Sequence, residues 1–368
     1  MVLGDLNATP DKKERIEYLD TLKAVSMLLV IFCHYVMLPN GSILGNVLMS
    51  LSWAAVPCFM MTSGFLMHRK EVLEPKGYLR RLSHIYAAYV AWRLIYLAVY
   101  FAFGKARPTI KEVISYLFFA RDLAEVNTGA MWYITAYIAV LLLYPVTHFL
   151  FHGGEKGKRV LAFLGCIAGV RGLLVPSVNW MIEKIMTAAG TEPISISYLN
   201  GLNPIANSAN MLFYFILGAF LFEYRKEIAA FIDHHRLLPY ALVLTGTAGI
   251  MIAKYVETGA FGWNGVYLTG GYTRITTLVA SVGLYLCTAS GRGHSPIVFL
   301  GRMIGKYTMG IYYIHYILLA ACSSLVYGYF RPYYSFGLNI LKTILTAAFC
   351  TAATMVMRKI PGIRILAE

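Results

Sequence analysis

Leu19-Asp20-Thr21-Leu22-Lys23-Ala24-Val25-Ser26-Met27-Leu28-Leu29-Val30-Ile31-Phe32-Cys33-His34-Tyr35-Val36-Met37-Leu38 is the run whose length decides the fold. A helix needs about 20 predominantly apolar residues to cross the hydrocarbon core of a bilayer. Here only Asp20, Lys23 and His34 interrupt the apolar character with charged or imidazole groups. Comparable stretches follow near 44–67, 83–103, 131–151, 160–178, 209–222, 238–256, 267–289, 307–329 and 336–357. Their ends are set only to within several residues, and the sixth is short enough that a start near Pro204 is an alternative. In lipid a single open strand leaves backbone groups unpaired, whereas a helix satisfies its own. The prediction is an all-α polytopic membrane helix bundle of about ten transmembrane helices.

The bulk numbers agree. Apolar residues make up 58% of the 368, charged residues 14%, and mean hydropathy is +0.61, whereas a soluble domain carries roughly 25% charged residues. A chain of this length would ordinarily suggest two soluble domains. The apolar runs continue to Met357 with no long polar block, so residues 1–368 read as a single membrane domain. The net charge of +14 does not indicate nucleic acid, because Lys and Arg sit in short clusters between apolar runs rather than on one soluble face.

Those clusters alternate. With the N-terminus inside, twenty cations fall on the cytoplasmic side: Lys12, Lys13 and Arg15; Arg69, Lys70, Lys76, Arg80 and Arg81; Lys156, Lys158 and Arg159; Arg225, Lys226 and Arg236; Arg292, Arg302 and Lys306; Arg358, Lys359 and Arg364. Six fall outside: Lys105, Arg107, Lys111, Arg121, Lys184 and Arg331. A missed or invented span would scramble this asymmetry. Both termini are therefore expected in the cytoplasm, 1–17 as an N-terminal segment and 358–368 as a tail, with the chain multi-pass in the cell inner (plasma) membrane. The first apolar run starts late and lacks a small-residue cleavage pattern, so it reads as a retained helix rather than a signal peptide. Of the two longer outer segments, 107–130 contains an amphipathic stretch at 110–119 suited to the interface. The other, 179–208, is richer in Asn, Ser, Pro and Thr and suited to cap an external cavity; an ordinary connecting loop is the alternative for both. Cys33, Cys58, Cys166, Cys287, Cys322 and Cys350 all lie in apolar segments without metal spacing, which predicts free thiols and no metal site; no bound cofactor is expected either.

Ionisable groups left inside spans are where function is expected, since a charge at mid-bilayer costs at least about 2.5–3.5 kcal/mol. They are Lys23, Arg93, Arg171, Lys254, Arg274 and Lys342, with Asp20, His34, His84 and His315. Snorkelling from a helix end accounts for Lys254, Lys342 and Arg93. Arg171 and Arg274 lie farther inside, where a water-filled cavity would suit them, and Arg171-Gly172 is also a place for a helix to bend. In the first span, eleven residues separate Lys23 from His34, close to three turns, so on a continuous helix they share a face roughly 16 Å apart. Asp20 is placed to pair with Lys23. An imidazole deep in the bundle is ordinarily a helix–helix hydrogen-bond partner. It is also the side chain best able to take and return a proton when a hydroxyl attacks a thioester. Cations at the cytoplasmic mouth would suit the phosphates of coenzyme A.

Five stretches carry a family resemblance. They are Arg15 followed by Leu19-Asp20-Thr21-Leu22-Lys23 and His34; Val56-Pro57-Cys58-Phe59-Met60-Met61-Thr62-Ser63-Gly64-Phe65-Leu66; and Arg80-Arg81-Leu82-Ser83-His84-Ile85-Tyr86. Next comes Met131-Trp132-Tyr133-Ile134 with Tyr144-Pro145, and last Gly301 followed by Tyr307-Thr308-Met309-Gly310-Ile311-Tyr312-Tyr313-Ile314-His315. In this order they resemble the acyltransferase-3 family of integral membrane acyltransferases, in its single-domain form without a soluble C-terminal domain. The resemblance implies an O-acyltransferase taking acetyl (or another acyl group) from cytoplasmic acetyl-CoA as co-substrate to a hydroxyl of a cell-surface glycan or lipid-linked saccharide. It implies His34 as general base with Lys23 and Asp20 as catalytic partners, and Arg81 and His84 on the acyl-CoA side. His315 would line the central cavity, Trp132 and Tyr312 would shape the pocket, and Ser63-Gly64 would let two helices approach closely; Ser63, together with Arg171 and Arg274 from their depth in the spans, completes the candidate substrate- and acyl-CoA-binding set. For Ser63, Trp132 and Tyr312, helix packing is an equal explanation.

The chain also departs from the family pattern. Lys23 stands where Arg is usual, and the two cations differ in bidentate geometry. His84 replaces a second Arg, and Ala130 a frequent His. The departures are compatible with a divergent branch, an altered acceptor or lost acyl-CoA chemistry. The alternative function on the same fold is a transporter or exporter of a polysaccharide or small polar substrate, for which intramembrane Arg and His serve equally.

Overall fold

Apolar helices that satisfy their own backbone are the outcome the composition demands, and the computed structural model delivers them. It describes residues 15–103, 107–118, 121–123, 126, 128–196, 208–290, 296–329 and 333–367. Among these there is helix and turn but no strand. The α-helices in chain order are α1 (Glu17–Phe32), α2 (Ile43–Ser52), α3 (Ala55–His68), α4 (Pro75–Ala102), α5 (Ile110–Phe118), α6 (Trp132–His152), α7 (Gly154–Gly169) and α8 (Val175–Ala188). They continue with α9 (Ala209–Glu223), α10 (Arg225–His234), α11 (Leu238–Thr258), α12 (Ile275–Ala289), α13 (Pro296–Ile304), α14 (Thr308–Tyr329) and α15 (Phe336–Met357). Among the described residues six helical stretches are long and apolar enough to cross a membrane: Ile43–His68, Pro75–Ala102, Trp132–His152, Gly154–Ala188, Leu238–Thr258 and Phe336–Met357. Shorter apolar helices are Ala209–Glu223, Ile275–Ala289 and Thr308–Ser323. The chain is a multi-pass membrane protein.

Several boundaries correct the sequence reading, each for a local reason. α1 stops at Phe32 rather than Leu38, because Asn339 Nδ2 and Lys342 Nζ take the Phe32 carbonyl at 3.1 and 3.4 Å and the chain turns through Tyr35 at φ +47°. The second stretch breaks at Trp53-Ala54, where Trp53 and Ala54 donate three residues back to Ser50 and Leu51. There Ser52 Oγ also donates to the Met49 carbonyl at 2.6 Å. α4 starts at Pro75, eight residues early, with proline in the first turn where its missing N–H does no harm. The fifth stretch runs from Gly154 to Ala188 through a π-helical turn, Val170–Leu174, which sits on the Arg171-Gly172 pair. The eighth begins its helix only at Ile275, after a 3₁₀ turn at Gly271–Thr273. The Trp53 ring lies against Gly271 so closely that an added Cβ would meet it at 2.4 Å.

The two longer connecting segments carry helix among their described residues. α5 opens with a reciprocal cap: Thr109 N and Oγ1 both donate to Glu112 Oε2 at 2.8 Å, and Glu112 N donates back to Thr109 Oγ1 at 3.4 Å. These bonds favour the charged carboxylate and hold Glu112 below the usual glutamate range. Residues 179–188 are the end of α8. The expected tail packs back, with Trp92 Nε1 donating to the Leu366 carbonyl at 2.9 Å and Ala367 buried. Arg93, Lys254 and Lys342 do not snorkel. Arg93 is 2% exposed, donates to Tyr89 Oη at 2.7 Å and the Arg121 carbonyl at 2.6 Å, and meets Asp122 at 3.3 Å. Lys254 donates to Asn46 Oδ1 at 2.8 Å above the Trp263 ring. Residues 1–14 with Lys12 and Lys13, and also Lys105, Phe119, Pro204, Arg292, Arg331 and Glu368, lie outside the described residues.

Without a hydrophobic drive between helices in lipid, close backbone approach supplies much of the association. Gly64 of α3 lies against α9 so tightly that a Cβ would stand 1.9 Å from the Phe215 carbonyl oxygen, and one on Gly218 would stand 2.1 Å from that of Met61. The Ser63-Gly64 reading of close helix approach therefore holds at Gly64. Gly64→Val must push α3 from α9 and is expected to destabilise by about 1–3 kcal/mol or more, read as a lowered unfolding midpoint in detergent. Gly77→Ala, where a Cβ meets only Glu74 Cβ at 3.5 Å, is expected to leave the midpoint unchanged or raise it slightly. Equal behaviour of the two variants would refute this account of the α3–α9 contact.

Candidate functional site

Once α1 ends at Phe32, His34 occupies the turn that follows, half-buried. Its Nδ1 lies 2.8 Å from the Val30 carbonyl and 3.3 Å from Cys33 Sγ. A carbonyl oxygen only accepts, so the contact assigns the imidazole proton to Nδ1 and leaves a lone pair on Nε2. The turn is held from α15. Asn339 Oδ1 accepts from Met37 N at 2.7 Å, and Lys342 Nζ donates to the carbonyls of Phe32, His34 and Tyr35, the last at 3.1 Å. A cation on the open carbonyls of a helix C-terminus is favoured by the helix dipole as well as by hydrogen bonding. Tyr267 Oη adds a 2.7 Å bond to the Cys33 carbonyl.

A second imidazole faces the first. His315 of α14 is fully buried, with ring centroids 5.2 Å from His34 at 77°. Its Nδ1 lies 2.6 Å from the Tyr312 carbonyl, which again assigns the proton to Nδ1, and its Nε2 is buried without a hydrogen-bond partner. The Tyr316 ring stands edge-on to His34 at 5.2 Å. From this pair a lane of rings leads to α4: His315 to Tyr312 at 5.5 Å, Tyr312 to Tyr133 at 5.2 Å, and Tyr133 stacked on Tyr137 at 6.0 Å. The Tyr137 hydroxyl accepts from Arg81 Nη2 at 3.1 Å. Tyr312 Oη is fixed by donating to the Ala130 carbonyl, so the backbone of the position that departs from the family pattern still serves the lane. Arg81, Tyr312, His315 and His34, scattered over most of the sequence, are thus joined by direct contacts.

The other expected residues fall into separate places. Asp20 binds Lys23 at 2.8 Å and Arg15 at 2.6 Å, as its spacing predicts. No hydrogen bond, ion pair or ring contact among the described residues joins this group to His34. The shared helix face is corrected as well, since the helix ends two residues before the imidazole. Ser63 is half-buried beside Gly64, and His84 is exposed. Trp132, 39% exposed, packs against Tyr272 at 4.9 Å, which in turn meets Trp53 at 4.6 Å. Arg171 and Arg274 do line one cavity together, of about 310 Å³, but His34 and His315 are not among its walls. Arg274 precedes α12 in extended conformation rather than lying inside a helix.

Lys342, Asn339 and Tyr137 shape the site without having been singled out for it. Asn339 and Lys342, three apart on the last helix, carried a usable signal, because two polar residues on one turn of a span call for a polar partner. The arrangement offers a proton acceptor in a half-buried position, an aromatic lane and a guanidinium at the lane's other end. That is equipment for moving a proton beside a bound anionic or polar substrate.

Comparison with known proteins agrees with this reading at family level. The family model Acyl_transf_3, an acyltransferase domain, matches residues 16–358. No curated protein and no solved structure matches the chain. The matched region takes in α1 with its His34 turn, the ring lane and the helix that caps the turn. The chain belongs to the acyltransferase-3 family of membrane acyltransferases.

Proposed function

We propose that the protein is a plasma-membrane O-acyltransferase that moves acetyl from cytoplasmic acetyl-CoA to a hydroxyl of a cell-surface glycan or lipid-linked sugar. The observation that carries the proposal is the His34 ring, with Nδ1–H committed to Val30 and Nε2 left as acceptor. In the proposed step the acceptor hydroxyl gives its proton to His34 Nε2 as its oxygen attacks the thioester carbonyl. The C–S bond then breaks, and the proton passes to the departing coenzyme A thiolate. His315 orients the His34 ring through its edge contact, and Tyr312 is fixed in the lane by its bond to Ala130. Arg81, with His84 and the Arg15–Asp20–Lys23 cluster, is assigned to the phosphates of the donor, a role for which guanidinium geometry is suited. Ser63 and Trp132 border the path.

This reading carries a topology of ten spans with both termini in the cytoplasm, supported by the alternation of basic clusters. Donor phosphates and charged groups then meet at the inner end, and the His34 turn lies toward the outer half. The departures at Lys23, His84 and Ala130 fit a branch in which Arg81 alone supplies the bidentate donor contact on α4.

Three outcomes are expected. His34→Ala is expected to lower transfer of radiolabelled acetyl from acetyl-CoA to membrane glycan by about 10²–10⁴-fold, the usual worth of general base catalysis. Robust glycan export by that variant with no label incorporated even by the wild type would replace the enzyme with an exporter. Arg81→Ala is expected to raise KM for the acyl donor more than for the acceptor; an equal effect on both would remove Arg81 from the donor site. Lys342→Met removes the ammonium from three carbonyls beside His34 and is expected to lower kcat with little change in donor KM. A donor-KM effect alone would contradict its placement at the proton-transfer end.

A further inference from the structure

The cavity of about 310 Å³ lies against the π-helical turn and α8 on one side and the 269–274 segment on the other. Its size is at the low end of the roughly 300–1,000 Å³ that hold small molecules. The two guanidinium groups that line it do not share the nearby carboxylates evenly. Arg274, 7% exposed, sits over the Trp180 ring with its guanidinium carbon 4.3 Å from the centroid. Its Nη2 is shared between Glu257 at 3.3 Å and the Thr269 carbonyl at 3.0 Å, while its Nε is buried without a partner. Glu257 is fully engaged: Oε1 also accepts from Trp180 Nε1 at 2.9 Å, and Oε2 accepts from Thr269 N at 3.0 Å. Glu183, on the cavity wall, meets Lys184 at 3.5 Å and is also close enough to Arg274 for their charges to attract.

That leaves Arg171. It lines the cavity from the π-turn, its Nε is buried without a hydrogen bond, and no carboxylate among the described residues pairs with it. A guanidinium in a partly enclosed membrane-protein cavity is expensive unless something negative meets it, and its planar fork matches a carboxylate or phosphate two-pronged. Asn179 adds a donor. Its carbonyl oxygen is occupied by Ser195 Oγ at 3.0 Å and Ile196 N at 2.9 Å, so its amide NH₂ remains for a ligand. We propose that this cavity is an oxyanion-binding site, taking a carboxylate or phosphate group through Arg171, with Arg274 and Asn179 in support.

The cavity is mechanically tied to the His34 turn. One loop supplies the Tyr267 hydroxyl to the Cys33 carbonyl, the Tyr272 ring to Trp132, and Thr269, Gly270, Thr273 and Arg274 to the cavity wall. An anionic group held there would sit on an element that also touches the turn carrying the base. An acidic sugar of the acceptor glycan is one source of such a group, and a lipid phosphate is the other. Assigning the acceptor as the source rests on the transferase reading; the site itself does not.

The test measures binding to the full chain in neutral, phosphate-free detergent with no acyl donor present, so its result is independent of transfer activity. Glucuronate and inorganic phosphate are titrated against glucose as neutral control, with the unfolding midpoint as readout. The same measurement follows in nanodiscs of phosphatidylglycerol or phosphatidylcholine. At least one anion is expected to raise the midpoint saturably while glucose does not. Arg171→Gln is expected to weaken that response by about tenfold or more, with Arg171→Lys in between, as for loss of a charge-assisted pair. Stabilisation by glucuronate assigns the site to an acidic acceptor. Stabilisation by phosphate and phosphatidylglycerol but not glucuronate assigns it to a lipid headgroup. If anions and glucose are indistinguishable on the wild type, or Arg171→Gln responds as the wild type does, the proposal is overturned; the wild-type comparison stands even if the variant fails to fold.

Discussion

An ammonium group on the open end of a helix governs the arrangement of the site. α1 leaves its last carbonyls without intrahelical partners, and in a bundle no water is guaranteed to meet them. Lys342 reaches from α15 to the carbonyls of Phe32, His34 and Tyr35, and Asn339 takes Phe32 from the same helix. The cation is thereby solvated by backbone dipoles, and the carbonyls by the cation. Neither group is comfortable in an apolar bundle alone. Together they fix where the first helix stops, and so that His34 emerges on a turn with its ring folded back to Val30.

Helix as the backbone solution was legible from composition and run length, because a chain this apolar has few alternatives. Boundaries were less so, and each miss has a cause that sequence windows do not contain. The end of α1 depends on residues some 300 positions later. The break at Trp53-Ala54 and the late start of α12 meet each other across the bundle, where the Trp53 ring fills the space a side chain at position 271 would need. An irregularity at Arg171-Gly172 was legible from the glycine, although its π-helical form was not. Hydropathy sees the one-dimensional average, whereas these features come from the partner helix.

The candidate site divides along the same line. Local spacing found the Asp20–Lys23 pair because i,i+3 contacts belong to one helix. The family resemblance selected Arg81, Tyr312, His315 and His34, which the bundle joins through Tyr133 and Tyr137. Lys342, treated in sequence as a snorkelling end, was misread because burial of a long cation is apparent only when its acceptors are known. Arg171 and Arg274 were placed at the substrate cavity by their charge and depth, and the fold sets them in a cavity whose walls do not include His34 or His315.

That separation has a consequence for how one bundle handles two chemically different ends of a reaction. A proton-transfer site works best with few fixed charges, since a neighbouring guanidinium would oppose protonation of the imidazole. The immediate ring neighbours of the His34–His315 pair are aromatic, and its one close cation, Lys342, is held on the carbonyls of the same turn, where its charge still opposes a second positive charge. The guanidinium groups stand off, Arg81 beyond a lane of rings and Arg171 with Arg274 in their own cavity. On the proposed reading, anion recognition and proton transfer fall to different residues, and the 267–274 segment touches both regions.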